Sequence, residues 1–191
     1  LVEKGYTEQQ IANIWGGNWD WPNKNFWFGY HTNASSTGYK FYMWDFENTM
    51  GNNRSRSPLN MVSPRTAVEA QWVGLPHYYL KDYAEYQVDF GDRVQRWFFN
   101  DGLLTPQVLT NRYLAIANTV QPAIVAESAR WGDDNRTPAY GLNEWLAERN
   151  WILTNYLPQR SAIVLNQFRT NSLFPALGAP SFNQWGGAVV A

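Results

Sequence analysis

Two short aromatic runs separated by a polar turn constrain the fold most, because such runs are typical of β-strands. Residues 26–31 and 39–44 are rich in Phe, Trp and Tyr, which favour strands. The intervening residues 32–38 are polar and typical of a turn, so we predict a β-hairpin. An aspartate, Asp45, follows the second run directly.

Helical patterns account for most of the remaining chain. Apolar residues at helical spacing predict a helix over 6–15, with Thr7 as its N-cap, Gln10 completing a capping box and Gly16 ending it. Further helices are predicted at 67–73, 77–84, 86–99, 105–120, 122–131, 143–156 and 158–171, several of them opened by a proline. The fold class is therefore α+β and mostly helical.

The domain organisation follows from the ends of these patterns. Residues 51–66 are polar and rich in Asn, Arg, Ser and Pro, which predicts a long loop. From Phe174 onward Pro and Gly recur, so we predict one domain over 1–173 and a linker to a following domain over 174–191. Because the chain begins at Leu1 rather than Met, we expect a processed protein or a fragment of a larger one.

Composition narrows the function classes. With 15 basic and 16 acidic residues, the formal charge is −1, which argues against a nucleic-acid partner. Cysteine is absent, so disulfides and thiolate metal sites are excluded. We find no apolar stretch long enough to span a membrane. The abundance of Asn, Trp and Tyr with few Lys favours an extracellular or cell-surface location.

The residues most suggestive of chemistry flank the predicted hairpin. Four residues lie between Asp20 and Asn25, as between the catalytic Asp and the metal-binding Asn of protein kinases, and a second acid, Asp45, follows the hairpin. Carboxylate and amide oxygens suit Mg²⁺. Because Asp45 follows an aromatic strand, we expect its carboxylate to be partly buried. Asn- and Asp-rich loops are also common as simple turns, so spacing alone leaves a structural role open.

A family resemblance favours the chemical interpretation. The runs Asn25–Phe28 and Tyr39–Gly51 resemble the CotH (spore coat protein H) kinase family. Further matching runs are Phe90–Val94, Trp97–Asn100, Gly102–Pro106, Ile124–Asp133 and Tyr156–Arg160, so that the resemblance covers roughly residues 15–175. A weaker similarity links residues 1–19 to the tail of membrane-dipeptidase-type zinc hydrolases, whose zinc ligands have no counterpart in this chain.

The CotH resemblance implies a kinase-like C-lobe whose small hairpin carries the site. It implies an atypical secreted kinase that transfers phosphate from ATP to protein Ser or Thr, with Mg²⁺ or Mn²⁺. Asp20 would be the catalytic acid, Asn25 and Asp45 would bind the metal and nucleotide, and Glu47 would be a further metal ligand. Glu47 departs from the Asp that many members carry at this position.

The resemblance does not extend to a complete ATP site. None of the lysines, at positions 4, 24, 40 and 81, lies in a strand typical of a phosphate-binding lysine, so we expect this chain alone to bind ATP poorly. The alternative is a non-catalytic surface or assembly module of a large secreted bacterial protein. A glycan-binding module, suggested by aromatic content alone, is a third hypothesis. Expected partners are a protein substrate or neighbouring domains of the same polypeptide.

Overall fold

The fold is taken from a computed structural model. It describes residues 6–18, 20–21, 24–33, 39–47, 49–51, 74–134 and 137–178 of the chain. The helices are α1 (Tyr6–Gly16), α2 (Leu75–Leu80), α3 (Ala84–Phe98), α4 (Pro106–Trp131), α5 (Leu142–Trp151) and α6 (Leu157–Thr170), and the strands are β1 (Phe26–Tyr30) and β2 (Tyr39–Met43). The prediction of a mostly helical α+β fold is confirmed at this level.

The main hydrophobic core lies between α1, α3 and α6. Each helix contributes apolar side chains at helical spacing, which places them on one face. The fully buried members of this core are Ile11, Ile14, Phe90, Val94, Tyr156, Leu157, Val164, Phe168 and Leu173. Phe90 and Phe168 meet edge to face with ring centroids 5.1 Å apart. Of these three helices, α1 also packs against the hairpin, through β2.

The predicted hairpin is confirmed, with each strand one residue shorter than expected. The strands are antiparallel, and the register pairs Phe26 with Met43 and Tyr30 with Tyr39. An isolated two-stranded hairpin is marginally stable in water, so it needs packing from elsewhere. Trp21 supplies that packing against the inner face of the hairpin, and the Gln9 side chain of α1 donates to the Phe41 carbonyl.

One prediction about prolines was wrong. The helices expected at 105–120 and 122–131 form a single helix, α4, with Pro122 in its interior. A proline inside a helix removes one hydrogen bond, here to the Asn118 carbonyl. Both residues are exposed, so the missing bond lies on the solvent-facing side of the helix. The expected start is confirmed, because Thr105 is the N-cap and Pro106 opens the helix.

A second break was also predicted incorrectly. The helices expected at 143–156 and 158–171 join through a π-helical turn over Ile152–Tyr156. In this turn the Leu157 N–H donates to the Ile152 carbonyl, five residues back. The wider turn accommodates Pro158, whose ring would clash with the carbonyl four residues earlier in a regular α-helix.

The remaining helix predictions are met in part. The helices expected at 77–84 and 86–99 correspond to α2 and α3, each beginning two residues earlier. The predicted helix 67–73 lies outside the described residues, as does nearly all of the predicted loop 51–66. Among the helices the structure describes, none combines the length and apolarity needed to cross a membrane.

Candidate functional site

The loop that carries Asp20 begins with a network of buried amides at the end of α1. Gly17 adopts a left-handed conformation with φ 63°, which turns the chain out of the helix. The Asn18 backbone N–H then donates to the Asn13 carbonyl at 3.0 Å, and the Asn18 side chain donates to the Asn13 side chain at 2.7 Å. Both side chains are buried, and a buried polar group without a hydrogen-bond partner is costly. These bonds supply the partners.

Asp20 is buried and contacted on both carboxylate oxygens. Its Oδ2 accepts from Asn25 Nδ2 at 2.8 Å, and its Oδ1 lies 3.1 Å from Lys24 Nζ. Its backbone N–H donates to Asn18 Oδ1 at 3.0 Å. Only 7% of Asp20 is exposed, so these contacts offset the cost of taking a carboxylate out of water.

Asn25 bridges the two ends of the site. Its Nδ2 donates to Asp20 and also lies 3.3 Å from the Asp45 carbonyl, while its own carbonyl accepts from the Trp44 N–H at 3.2 Å. Asn25 has φ 61° and Asp45 has φ 55°, conformations that Asn and Asp tolerate better than most residues. The Asn25 side chain thus contacts both the Asp20 carboxylate and the backbone carbonyl of Asp45. That these residues form a catalytic or metal site stays a prediction.

The expected partial burial of Asp45 was wrong. Asp45 and Glu47 are both exposed, and Asp20 is the buried member of the cluster. The aromatic strand did not predict burial because the residue before Asp45, Trp44, is itself 51% exposed. The aromatic character of β2 therefore reflects a partly solvated hairpin rather than a core strand.

The exposed carboxyls nevertheless interact. The pKa of Glu47 is raised above its ordinary value, chiefly because its side chain hydrogen-bonds with Asp45. Desolvation and the negative charges of Asp45 and Asp20 raise it further, while a hydrogen bond with its own backbone opposes the shift. Asp20, Asp45 and Glu47 therefore lie within electrostatic range of one another.

In the described part of the chain, no group of three or more His, Cys, Asp or Glu residues is arranged to hold a metal ion. Asp45 and Glu47 are accessible and offer oxygens of the kind that Mg²⁺ and Mn²⁺ use. Asn25 also directs its amide nitrogen, rather than its oxygen, at Asp20. Cation binding would require these side chains to adjust.

Sequence reasoning missed several residues that build this site. Gln10 does not serve in a capping box, because its Oε1 accepts from Trp21 Nε1 at 2.8 Å. Thr7 lies within the first turn of α1, and its hydroxyl is 3.4 Å from Asp89 Oδ2. The available signal was the placement of polar Gln10 and Asn13 beside the apolar residues of the same helix face, since buried polar side chains need specific partners.

The outer face of the hairpin carries an aromatic patch, which we define as Trp27, Tyr42 and Trp44. Trp27 and Tyr42 are cross-strand partners in the register, so their side chains lie on the same face. Trp44 directly follows the end of β2. All three side chains are at least half exposed, with Trp27 at 67%. Trp44 directly precedes Asp45 in the sequence, and both residues are exposed.

No protein-family model, curated protein or solved structure matches the chain. The resemblances to CotH kinases and to dipeptidase tails therefore stay predictions from sequence motifs.

Proposed function

We propose that the hairpin site is the catalytic half of a divalent-cation-dependent phosphoryl-transfer site of the CotH kinase type, acting from ATP to protein Ser or Thr. The observation that supports the proposal is that one side chain, Asn25, contacts both the Asp20 carboxylate and the backbone of Asp45. Asn25 Nδ2 lies 2.8 Å from the Asp20 carboxylate and 3.3 Å from the Asp45 carbonyl, across the hairpin. Phosphoryl transfer depends mainly on positioning and charge neutralisation, which such a cluster suits.

Each residue has a defined role in this proposal. Asp20 accepts the proton of the attacking hydroxyl, as the corresponding acid does in protein kinases. Asp45, Glu47 and Asn25 would hold Mg²⁺ or Mn²⁺, and the bound cation supplies charge neutralisation for the phosphate oxygens. Lys24 lies 3.1 Å from Asp20 Oδ1 with its side chain 65% exposed. A phosphate that attracts Lys24 would therefore release one Asp20 oxygen to act as base.

The aromatic patch supports the same proposal. Rings beside a phosphate-binding site offer a stacking surface for a nucleobase, and each stacked base contributes about 1–3 kcal/mol in other proteins. The patch alone does not replace a phosphate-covering loop, so we still expect weak ATP binding by residues 1–191.

The test is Mn²⁺ binding, followed by phosphate transfer. We expect calorimetry to detect Mn²⁺ binding by the wild type and not by Asp45→Asn, while the exposed control Asp133→Asn behaves as wild type. Radiolabelled ATP with Mn²⁺ and casein should then give phosphoserine that disappears in Asp20→Ala. Absence of Mn²⁺ binding at millimolar concentration would overturn the proposal.

A non-catalytic surface or assembly module is the second candidate. It is favoured by the contacts of Asp20, since Lys24 and Asn25 already occupy its two oxygens, and by the absence of a preformed metal group in the described residues. In this case the network is a brace for the hairpin. Mn²⁺ would then leave the melting temperatures of wild type and Asp45→Asn equally unchanged.

A further inference from the structure

Arg160 is a charged side chain on α6 that is completely buried and directed at the end of α1. Its exposure is 0%. Its Nε donates to the Trp15 carbonyl at 2.7 Å, and its Nη2 donates to the Ile14 carbonyl at 2.8 Å. The neighbouring hydroxyl of Tyr156, also fully buried, donates to the same Trp15 carbonyl at 2.8 Å. Two side chains from the π-turn and α6 thus hold one helix end.

The chemistry of a helix end explains these contacts. The last carbonyls of a helix have no partner within the helix, and they carry partial negative charge that favours a cation. Burying a guanidinium is costly, and burial lowers the pKa of Arg160, while the adjacent Tyr156 opposes that shift. An apolar side chain of similar volume would avoid this cost. What Arg160 adds is a fixed position for the Ile14 and Trp15 carbonyls at the end of α1.

The end of α1 leads directly to the candidate site. The Ile14 carbonyl that Arg160 contacts also accepts from the Gly17 N–H at 3.1 Å, at the point where the chain leaves the helix. Beyond Gly17, Asn18 bonds back to α1 and accepts from the Asp20 N–H. The position of Asp20 is therefore connected to Arg160 through a short series of hydrogen bonds.

The other half of the site is tied to the same helix end. The Gly16 carbonyl accepts from the Met50 N–H at 2.9 Å, just beyond Glu47. Thr49, between them, is buried, and its hydroxyl donates to the Phe46 carbonyl at 2.9 Å. The segments on both sides of the carboxyl cluster thus meet at the last turn of α1.

We propose that Arg160 is a positioning residue that fixes the last turn of α1, and through it the placement of Asp20 relative to Asp45. Tyr156 assists by sharing the Trp15 carbonyl. The geometric effect stands independently of the proposed phosphoryl transfer, whereas its consequence for metal binding rests on that proposed function.

Arg160→Met, which keeps an unbranched side chain and removes its donors, tests the inference. We expect amide hydrogen exchange measured by NMR to accelerate about tenfold at Asp20, Lys24 and Met50, because their hydrogen bonds depend on the end of α1. Amides of α4 should keep wild-type exchange. Mn²⁺ affinity should fall by a similar factor. The control is Arg169→Met, since Arg169 lies on the same helix but contacts the Pro175 carbonyl, and it should change neither measurement.

Tyr156→Phe keeps the inference testable if Arg160→Met does not fold. It removes one donor to Trp15 and retains the ring, so we expect faster exchange at the same amides, by about threefold. Wild-type exchange at these amides in the folded variants would overturn the inference, as would equal acceleration across α4, which indicates general destabilisation. If the wild type binds no Mn²⁺, the proposed function fails while the exchange results still decide the positioning role.

Discussion

The candidate site has two halves with opposite environments. The inner half, at the end of α1, consists of Asn13, Asn18, Asp20 and Trp21, and all four are buried. The outer half, on the hairpin, consists of Trp27, Trp44, Asp45 and Glu47, and all four are exposed. The two halves have similar residue types, so composition does not separate them. The difference arises from the element that carries each half.

This difference in burial predicts that substitutions in the two halves will change the free energy of unfolding by different amounts. Polar groups of the inner half are hydrogen-bonded because an unpaired buried group costs about 1–3 kcal/mol. Carboxyls of the outer half are solvated, so a like-charge cluster is tolerated there at small cost. The inner half therefore determines stability, and the outer half is available for a ligand. Four measurements test this division.

The largest contrast is expected between two tryptophans. Trp21 is 2% exposed, packs edge to face on Phe26 at 6.2 Å and donates to Gln10. Trp21→Ala should lower the free energy of unfolding by about 3–5 kcal/mol, in the range for buried aromatic truncations. Trp27→Ala should change it by less than about 1 kcal/mol, because Trp27 is exposed. Urea denaturation of both variants measures this, and equal losses would contradict the division.

The two aspartates provide the next contrast. Asp20→Ala removes the acceptor for Asn25 and the counter-charge of Lys24, and we expect a loss of about 1–3 kcal/mol. Asp45→Asn should cost less than about 0.5 kcal/mol, since the carboxylate is exposed and Asn also tolerates the φ of 55° at this position. A larger loss for Asp45→Asn than for Asp20→Ala in the same denaturation experiment would show that the outer half also stabilises the fold.

Local signals were sufficient to predict the elements that frame the site. The aromatic runs predicted the hairpin, and apolar spacing predicted α1. Each of these depends on residues close in sequence or on a single tight connection. The family assignment and the chemical roles remain predictions.

Other features depend on distant packing, which single-sequence patterns do not encode. The burial of Asp20 and exposure of Asp45 depend on which side of the hairpin faces α1, and the aromatic content of β2 misled on this point. The role of Arg160 requires knowledge that α6 packs on the end of α1, 145 residues away in sequence. Pro122 and Pro158 each predict a break between two helices. Instead, Pro122 lies inside α4, and a π-turn joins α5 to α6 before Pro158.

The third contrast is the effect of divalent cations on stability, which should depend on the outer half of the site. If the outer half binds Mg²⁺, a free concentration ten times the dissociation constant stabilises the wild type by about 1.4 kcal/mol, through mass action on the folded state. Asp45→Asn should lose this gain, whereas Asp133→Asn should keep it. Thermal melts with and without Mg²⁺ measure the effect. An equal response of wild type and Asp45→Asn would leave Asp45 as a turn residue.

The smallest expected effect concerns the titration of Glu47. Its pKa is raised above 4.5, first because its side chain hydrogen-bonds with Asp45 and then through desolvation and neighbouring negative charge. The folded state therefore keeps this proton to higher pH than the unfolded chain. The resulting stabilisation is fully present below pH 4.5 and is lost as the pH rises through the raised pKa.

Carbon-detected NMR of the Glu47 carboxyl can test this in wild type, Asp45→Asn and the distant control Asp133→Asn. The wild-type midpoint should lie above 4.5, and Asp45→Asn should move it toward 4.5 by removing the adjacent charge. Asp133→Asn should leave it in place. Because Glu47 is exposed, salt should weaken the shift by screening. A wild-type midpoint at the ordinary value would mean that the exposed carboxyls do not act as a cluster, and the outer half would then have no special affinity for a cation.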